Sequence, residues 1–340
     1  MKALKYVFFL LLIIIIGLTI YIAVQPNSYE VTKTRTIKAP ATVIYDHVID
    51  FKNWESWPVW STEDTDIQIT YPEKTKGIDA SYSWKSSTGT GTVNTIETTP
   101  NSSINQHILY SEFPKSDIDW SFTPNADGST DVSWTFSSKN LPFKFKAFSI
   151  LSGSMEERFG INFDQSLERL EREVLADMKK YSIEIDGVTQ YSGGFYIYTT
   201  MSCKISQLET EIQKLLQKLS SYATQNNIKM AGAPFVKYHN WDDANNAVMF
   251  SFCIPTTDRV ITTENDLLTG QIMPFKAVKA TLHGDYSNLK EAWRKTMAYL
   301  PNNGLILAEE GPMLETYPTD PRNTPNPADL VTHLYIAIQE

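Results

Sequence analysis

Residues 311–317 read GPMLETY, and residues 232–238 read GAPFVKY. Each stretch opens on a glycine, places a proline one or two positions later and ends on a tyrosine, and each is followed by a polar turn. The recurrence indicates an internal duplication. We expect its two copies to form a ligand pocket between them.

The flanking sequence repeats in the same order. The first copy has an extended segment, an amphipathic helix, the GAPFVKY stretch and a closing strand, at residues 194–201, 205–226, 232–240 and 247–255. The second copy has the same series at residues 271–284, 288–304, 311–321 and 329–338. Apolar residues recur on one side of the first helix, at Leu208, Ile212, Leu215, Leu216 and Leu219. Each copy is predicted as a β-α-β-β unit, and two units are expected to pack together because one alone buries its apolar face poorly.

The stretch from His283 to Pro321 reads HGDYSNLKEAWRKTMAYLPNNGLILAEEGPMLETYPTDP. It carries a strand, Gly-x-Tyr, a helix with a tryptophan, Gly-Pro, Glu-x-Tyr and Asp-Pro in that order. On these residues the part from Ile185 to Glu340 resembles the GyrI-like family, which shares its fold with the effector-binding domains of AraC- and MerR-type regulators. The resemblance implies a groove between the repeats that binds bulky, often aromatic or cationic small molecules. A subset of the family hydrolyses reactive electrophiles, which is the second activity that the resemblance implies.

A pocket for a cation needs aromatic walls and a carboxylate. Tyr238 and Tyr317 are expected in the walls because they hold equivalent places in the two copies, and Trp293 is a further candidate on its helix. The strand aromatics of the first copy are Phe195, Tyr196 and Tyr198. Alternation puts the two tyrosines on one face and the phenylalanine on the other, so the three are not expected in one pocket. Packing in a core is the alternative interpretation for all of these side chains.

The carboxylate has more than one candidate position. The resemblance implies a Glu near the start of the last strand, where this chain has His333, and the corresponding position of the first copy is Ser251. A neutral histidine can accept or donate one hydrogen bond, but a protonated histidine repels a cation. Glu315 shares a strand face with Tyr317 and is the alternative acid, with a solvated surface position as its other interpretation. The candidates for the polar group that binds the ligand are therefore His333, Ser251 and Glu315.

Residues 66–136 are predicted to form an antiparallel sheet with one buried face. An alternating strand at residues 29–38 leads through Ala39-Pro40 to a short helix at 41–49. Six further alternating runs follow, at residues 66–71, 80–86, 91–98, 105–113, 116–124 and 130–138. Residues 140–153 are predicted as a loop, and Ser154 as the N-cap of a long amphipathic helix that ends at Met178. This helix is expected to cover one face of the sheet.

Residues 34–57 read TRTIKAPATVIYDHVIDFKNWESW and combine a strand, Ala-Pro and a helix with Asp50, Trp54 and Trp57. On these residues and on the order of elements, residues 29–178 resemble the START-like or polyketide-cyclase-like (SRPBCC) superfamily. The resemblance implies a helix-grip fold that holds an apolar ligand between the long helix and the sheet. The strand tryptophans are Trp84, Trp120 and Trp134. One or two of them are expected to face this cavity, and the alternative is that they fill the core.

The N-terminus carries an uncharged apolar segment. Residues 6–24, YVFFLLLIIIIGLTIYIAV, would span about 28 Å as a helix, which is enough for the core of a bilayer. Lys2 and Lys5 precede the segment, so we predict a single-pass anchor in the cytoplasmic membrane, with the N-terminus inside and the rest of the chain on the outer, periplasmic or extracellular side. The alternative is a cleaved signal peptide. Its apolar core is ordinarily shorter, and Ile22-Ala23-Val24 is a poor cleavage site.

Net charge and residue types limit which partners, cofactors and disulfides are expected. The net charge is -9 and the chain has no basic run, which argues against binding to nucleic acid. No cluster of histidine, cysteine and acidic residues has metal-ligand spacing, and no nucleophile motif is present, so no cofactor, metal or catalytic residue is assigned. The two cysteines are Cys203 and Cys253. An exported location permits a disulfide between them, whereas their apolar, strand-like surroundings favour two buried free thiols.

The fold class is therefore α+β, with an anchor and linker at residues 1–28, a START-like domain at 29–180 and a GyrI-like domain at 181–340. Residues 179–187 are predicted as the connector between the two domains. Three functions are weighed: a membrane-anchored protein that binds small apolar or aromatic molecules, a hydrolase of reactive lipophilic compounds, and a structural or partner-binding protein of the envelope.

Overall fold

The computed structural model describes residues 2–63, 66–87, 89–111 and 113–339. The chain forms two compact units, Met1–Asp177 and Met178–Glu340. Each unit contains one antiparallel sheet with helices, so the predicted α+β class and the order of the two domains are confirmed.

The first unit has a seven-stranded antiparallel sheet. Its strands are β1 (Ser28–Ile37), β2 (Gln68–Thr70), β3 (Ser81–Ser86), β4 (Gly89–Thr99), β5 (Ser103–Tyr110), β6 (Ser116–Pro124) and β7 (Thr130–Lys139). They lie in the order β1-β7-β6-β5-β4-β3-β2. Residue 112, near the end of the predicted run 105–113, lies outside the described residues.

Five helices belong to the first unit. They are α1 (Lys2–Ala23), α2 (Ala41–Ile49), α3 (Val59–Glu63), α4 (Phe143–Ser152) and α5 (Met155–Asp177), and a 3₁₀ turn spans Phe51–Glu55. The long helix α5 begins as predicted, because Ser154 Oγ accepts from the Glu157 amide at 3.2 Å and the Glu157 carboxylate accepts from the Ser154 amide at 2.8 Å. Its apolar face packs against β1.

The predicted loop at residues 140–153 is wrong, because its centre forms helix α4. Pro142 stands directly before the first helical residue, where a missing amide hydrogen costs nothing. Gly153, with φ of +89°, ends the helix in a conformation that other residues rarely adopt.

Indole and phenyl rings fill the space between α5 and the first sheet. The rings of Trp120 and Trp134 stack with centroids 4.5 Å apart, and Trp134 stacks on Phe163 of α5 at the same distance. Trp57 meets the edge of Trp120 at 5.8 Å. Since Trp120 and Trp134 are each only 1% exposed, they lie in the core and not on a cavity wall. For these two residues the alternative interpretation, packing in the core, describes their surroundings.

Trp84 packs on the sheet itself. Its ring is stacked between Tyr82, at 5.4 Å, and Tyr110, at 5.9 Å. It lies over Gly91, its cross-strand partner, where any side chain would come within 2.1 Å of the indole. Trp84 therefore covers a glycine that would otherwise leave a gap in the sheet.

The second unit has an eight-stranded antiparallel sheet. Its strands are β8 (Ser182–Tyr191), β9 (Gly194–Lys204), β10 (Phe235–Asp242), β11 (Ala247–Thr256), β12 (Leu268–Ile272), β13 (Phe275–His283), β14 (Met313–Thr316) and β15 (Val331–Ala337). Two helices, α6 (Leu208–Gln225) and α7 (Leu289–Asn302), pack on it. The chain order contains two copies of strand, helix, strand, strand, namely β9-α6-β10-β11 and β13-α7-β14-β15.

The strand order has an internal two-fold symmetry. It reads β12-β9-β11-β10-β14-β15-β13-β8, so each strand of one copy has its counterpart at the mirrored place in the other. The centre of the sheet is the pairing of β10 with β14, the two strands that carry the repeated stretches. The strand that precedes each copy pairs with the first strand of the other copy. Thus β8 pairs with β13, and β12 pairs with β9.

Two sequence-based boundaries need correction in this unit. The predicted connector at residues 179–187 is largely strand β8, whose side chains alternate between exposed and half-buried positions. The predicted single strand at residues 271–284 is two strands, β12 and β13, which separate at Met273-Pro274. Proline has no amide hydrogen to donate to a ladder, so the chain breaks there and β13 begins on the next residue.

Both cysteines are unpaired. Cys203 packs on the side of the sheet that carries α6, whereas Cys253 lies with Tyr196 and Phe235 on the other side. A disulfide needs the two Cβ atoms within about 4.5 Å, which residues on opposite faces of a sheet do not satisfy. The expectation of free thiols therefore stands, although Cys203 is half-buried and only Cys253 is fully buried.

Within the described residues, one helix is long and apolar enough to cross a membrane, at Leu4–Ala23 of α1. Its apolar side chains are exposed along almost the whole length. Length and composition are shared by membrane anchors and by signal sequences, so the geometry of α1 does not choose between them.

Candidate functional site

A cavity of about 1350 Å³ lies between α6 and α7, above the central strands β10 and β14. Its floor is the sheet, and its walls are the facing sides of the two helices. The loop that follows β14 closes one end with Pro318, Asp320 and Arg322. The duplication places this cavity at the junction of its two copies.

Glu315 lies on the floor of the cavity and is only 1% exposed. Side chains alternate along β14, so Leu314 and Thr316 point to the opposite face, where Leu314 packs against Phe235 and Cys253. The alternation of the GPMLETY stretch therefore puts a single carboxylate under the helices.

Three donors hold the Glu315 carboxylate. Trp293 Nε1 donates to Oε2 at 2.8 Å and the Tyr238 hydroxyl donates to the same oxygen at 3.2 Å. The Tyr317 hydroxyl donates to Oε1. An ionised carboxylate accepts all three bonds, so this arrangement fixes both its orientation and its position.

Burial raises the pKa of Glu315, and the bonds from Tyr317, Trp293 and Tyr238 oppose that rise by stabilising the charged form. No lysine or arginine contributes to this balance. Burial, reinforced by the neighbouring carboxylate, also raises the pKa values of Tyr238 and Tyr317 well above the ordinary value. Both phenols therefore stay protonated and remain donors at neutral pH.

Aromatic rings and methionines surround this carboxylate. Tyr238 meets Trp293 edge-on at 5.6 Å and Trp241 at 5.7 Å, and Tyr286 meets Tyr317 at 5.6 Å. Three methionines also line the cavity, at positions 230, 297 and 313. Flexible thioethers adapt to ligands of different shape, and ring faces attract cations.

Besides Glu315, the charged residues that line the cavity are Glu209, Arg294 and two ion pairs. Arg322 Nη2 lies 2.6 Å from Asp320 Oδ2, and Lys290 Nζ lies 3.9 Å from Asp243 Oδ1. Both pairs are largely exposed, so they contribute little to stability. Glu315 is thus the buried acid of the cavity, and the other charged lining residues are more exposed.

The predicted residues Tyr238, Trp293, Glu315 and Tyr317 come together in this cavity. Trp241 and Tyr286 were not predicted as site residues. The tyrosine of the Gly-x-Tyr motif is Tyr286 and its position before the helix could have identified it. Trp241 follows the first repeated stretch, in a segment that the sequence marks only as a polar turn.

The other predicted residues of this domain lie elsewhere. Phe195, Tyr196 and His333 line a second, smaller cavity of about 280 Å³ that also includes Thr316, on the face of the sheet away from Glu315. Tyr198 packs beside Tyr196 with ring centroids 5.3 Å apart. His333 is therefore not the substitute for the acid, because it neighbours Thr316 and not Glu315 across the β14–β15 pairing.

Ser251 is a buried structural residue. Its hydroxyl lies 2.7 Å from Thr200 Oγ1 and 2.7 Å from His239 Nε2, and it does not line the cavity that contains Glu315. Burial lowers the pKa of His239, so its ring is neutral and can exchange a hydrogen bond with the hydroxyl at neutral pH.

The two copies differ at the position of Glu315. Val236 lies directly opposite Glu315 across the β10–β14 pairing and holds the equivalent place in its own stretch. Ile212 is the fifth residue of α6, as Trp293 is the fifth residue of α7. One copy therefore supplies a carboxylate together with its indole donor, and the other supplies two aliphatic side chains at the matching positions.

Among the described residues, no group of three or more histidine, cysteine, aspartate and glutamate side chains could hold a metal ion.

The helix-grip sheet and the duplicated sheet with its cavity define a protein built from two types of small-molecule-binding domain. Residues 28–175 match the family model described as polyketide cyclase / dehydrase and lipid transport, and residues 195–339 match the one described as GyrI-like small molecule binding domain. The chain therefore carries a polyketide cyclase-like (SRPBCC-like) domain followed by a GyrI-like domain, which confirms the two resemblances.

Solved structures match parts of the chain at low identity and low TM-score. Protein CV1439 from Chromobacterium violaceum is 16% identical, with 44% of this chain and 98% of that chain covered and a TM-score of 0.33. The EcmrR C-terminal domain is 16% identical, with 47% and 98% covered and a TM-score of 0.39. EcmrR in its DNA complex is 15% identical, with 64% and 89% covered and a TM-score of 0.41. At these scores the likenesses assign no function to this chain. No curated protein matches it.

Proposed function

We propose that this chain is a membrane-anchored binding protein whose ligand is a bulky aromatic monocation, held in the cavity between α6 and α7. The observation that carries the proposal is the buried Glu315 carboxylate, which accepts three hydrogen bonds and, among the described residues, forms no ion pair with a lysine, arginine or histidine. A buried carboxylate without a counter-charge is costly, and a bound cation would supply that charge.

The surroundings of Glu315 favour an organic cation over a metal ion. Its carboxylate oxygens are already engaged by two phenols and an indole, and the remaining lining is largely aromatic and apolar. Ring quadrupoles attract a cation by about 0.5–2 kcal/mol each, depending on how far it is desolvated. A delocalised cation on an aromatic frame satisfies both the rings and the acid.

The size of the cavity favours a bulky ligand. Its volume of about 1350 Å³ exceeds the range of roughly 300–1000 Å³ usual for small-molecule pockets. One buried carboxylate on the floor of the cavity, rather than two, favours a single positive charge, because Val236 of the first copy stands at the place that Glu315 holds in the second.

Membrane anchoring through residues 6–24 remains part of the proposal. The exposed apolar surface of α1 supports it, since a helix of this length and composition is stable in lipid and poorly suited to water. The lysines before the helix favour a cytoplasmic N-terminus, which would place both domains on the outer side.

Binding of a fluorescent cation tests the ligand class. The full chain in detergent is titrated into rhodamine 6G while the fluorescence anisotropy is recorded, and tetraphenylphosphonium and neutral triphenylphosphine oxide serve as competitors. We expect saturable binding, with the phosphonium competing at least about tenfold better than the neutral oxide, because only the former pairs with the carboxylate.

The Glu315→Gln variant should lose this preference for the cation while keeping the shape of the site. The matched control is Glu309→Gln, which removes an exposed carboxylate of the same domain and should leave both affinities unchanged. Equal competition by the two compounds in the unsubstituted protein would overturn the assignment of a cationic ligand.

Hydrolysis is the second candidate function, and the raised pKa of Glu315 is the observation that favours it. A carboxylate with a raised pKa is a better general base than an exposed one, and the neighbouring phenols of Tyr238 and Tyr317 are positioned as proton donors. A pH–rate profile on a reactive ester would carry an ionisation that disappears in Glu315→Gln. A profile unchanged in that variant would remove Glu315 from the chemistry.

A further inference from the structure

Helix α4 presents an apolar stripe to solvent. Phe143, Ile150 and Leu151 stand at helical positions i, i+7 and i+8 on one side of α4, and they are 48%, 38% and 88% exposed. The opposite side carries Phe145, which is buried against Tyr29 and Phe113. A soluble surface rarely keeps three large apolar residues together on one helix face, so this stripe is suited to an apolar partner.

The stripe lies beside the end of the apolar helix α1. Lys146 Nζ of α4 donates to the carbonyl oxygens of Ala23 at 3.3 Å and Gln25 at 3.0 Å, which caps the last turn of α1. The two helices are in contact, and Ile22 is the buried residue of the last turn of α1. These contacts hold α4 at the level where the apolar segment ends.

An interfacial position also fits the polar groups of α4 and its neighbour α5. The guanidinium of Arg158 lies 4.6 Å from the ring centre of Phe148, which is itself exposed. Arginine and lysine side chains at a bilayer surface lay their apolar stems along lipid and keep their charged ends in water. Tyr21, in the last turn of α1, is an aromatic residue of the type enriched at that depth.

We infer that the exposed stripe of α4 (Phe143, Ile150 and Leu151) docks into the headgroup–acyl boundary of the bilayer that holds α1. The inference rests on the proposed anchoring and goes beyond it, because it assigns a second, separate contact between the folded part of the chain and the lipid. α1 spans the bilayer, and α4 lies flat on the surface where α1 emerges. An amphipathic helix of this kind buries its apolar side about 5–10 Å into the interface.

Depth-dependent quenching tests this contact in the full chain. Cys203→Ser and Cys253→Ala remove the native thiols, and one new cysteine at a time carries an NBD fluorophore: Leu151→Cys on the stripe, Tyr21→Cys in α1 and Ser102→Cys, which is exposed in the turn between β4 and β5 at the end of the first sheet away from Ser28. The proteins are reconstituted into phosphatidylcholine–phosphatidylglycerol vesicles with and without a lipid that carries a nitroxide near the top of its acyl chain.

Quenching at Leu151→Cys should come within about twofold of that at Tyr21→Cys and exceed that at Ser102→Cys by at least about fivefold. Quenching at Tyr21→Cys without quenching at Leu151→Cys would overturn the docking of α4 and leave the anchor standing. A lack of quenching at both positions would overturn the anchor and the docking together.

A second label position, Phe143→Cys, protects the test against a local effect of one substitution. It lies two turns before Leu151 on the same stripe and should show quenching of similar size. An NBD probe that is shielded from aqueous iodide at both positions but not quenched by the lipid nitroxide would assign the stripe to a protein contact, such as a second copy of the chain. That result would also overturn the inference.

Discussion

Glu315 occupies a position that a carboxylate adopts only at a cost. Its neighbours on the strand, Leu314 and Thr316, face the other side of the sheet, and its own side receives an indole and two phenols instead of water. These donors recover part of the lost hydration. The rest of the cost of desolvation is not recovered. A cation bound in the apolar cavity would recover it by pairing with the carboxylate.

The buried state of Glu315 predicts a characteristic pH dependence of stability. The pKa of the folded carboxyl is raised above its ordinary value of 4.5, so the unfolded chain releases this proton first as the pH rises. The contribution of Glu315 to stability is therefore complete below about pH 4.5 and is lost as the pH rises through the folded pKa. In Glu315→Gln this loss is absent, so the free energy of unfolding of the variant should rise relative to that of the unsubstituted protein as the pH increases from about 4.5 through the folded pKa, and the difference should then stay constant.

Urea denaturation of both proteins at several pH values measures this difference. A constant offset between them reports the hydrogen bonds that the amide changes, and only the pH-dependent part reports the charge. Glu309→Gln, at an exposed position, should show no such trend. A difference between Glu315→Gln and the unsubstituted protein that does not vary with pH would mean that the folded carboxyl titrates normally.

At the scale of elements, the pairing of β10 with β14 determines the site. The two repeated stretches form neighbouring antiparallel strands at the centre of the sheet, and their tyrosines, Tyr238 and Tyr317, both reach the carboxylate of Glu315. Helix α7 adds Trp293 from above, while α6 adds aliphatic residues at the matching positions. The duplicated scaffold is symmetric, but its chemistry is concentrated in one copy.

Val236→Glu would restore a second acid at the equivalent position. Side chains directly opposite in an antiparallel pair have Cβ atoms about 4.5–5.5 Å apart, so the two carboxylates would repel each other. We expect the free energy of unfolding at neutral pH to fall by about 3–5 kcal/mol, because an unpaired charge is added to a buried site. A large part should be regained at lower pH, where the pair keeps at least one proton.

Lys237→Glu is the matched control for this prediction. It places the same residue type on the same strand, but on the opposite, half-buried face. Its effect on stability should be small by comparison and should not have the same pH dependence. Equal losses in the two variants would indicate that a carboxylate at position 236 does not meet Glu315.

Packing between neighbouring strands explains the positions of Trp84 and Tyr196, two aromatic residues that the sequence suggested as ligand contacts. Trp84 lies over Gly91 and Tyr196 lies over Gly270, in each case on the directly paired residue of the neighbouring strand. A Cβ at Gly91 would come within 2.1 Å of the indole, and one at Gly270 within 2.4 Å of the phenol ring. In both strands a large ring fills the space that a glycine leaves.

Gly91→Ala should therefore displace the Trp84 ring and lower the free energy of unfolding by about 1–3 kcal/mol, as overpacking usually does. The same change in a Trp84→Ala background should cost much less, because the ring that clashes is gone. Denaturation of the four proteins of this cycle measures the coupling between the two positions. Additive effects would show that Trp84 is able to move aside without cost.

At the scale of the whole molecule, the chain joins an apolar N-terminal helix to two folded units of different use. The first unit has its interior filled by tryptophan rings, whereas the second encloses the cavity with Glu315. The proposed ligand site therefore lies in the second unit. The first unit carries α4, and with it the proposed contact with the bilayer.

The proposed anchor predicts how the protein behaves in cells. The full chain should stay in the membrane fraction through alkaline carbonate extraction, because a helix with about 20 apolar residues inserts in a way that loss of surface charge does not reverse. Mass spectrometry of the extracted protein should find residues 1–28 retained. A soluble protein that begins after Ala23 would identify the segment as a cleaved signal sequence instead.

The amino-acid sequence by itself determined the local patterns of this protein. Strand alternation, helical periodicity and the repeated GPMLETY and GAPFVKY stretches predicted the two sheets, the long helix and the duplicated β-α-β-β units, since each pattern is readable within one segment. The sequence also brought Tyr238, Trp293 and Tyr317 to attention as aromatic candidates. It misplaced helix α4, strand β8 and the break at Pro274, where short amphipathic or alternating segments give weak signals.

Only the tertiary structure decided which faces meet. It put Glu315 beneath the helices and His333 on the other side of the sheet, because a shift of one residue along a strand reverses the direction of a side chain. It also filled the first domain with Trp120 and Trp134, which a sequence pattern does not distinguish from the lining of a cavity. Whether an aromatic side chain packs in the core or contacts a ligand depends on the volume left between helices and strands that are distant in sequence. That volume is a property of the assembled fold.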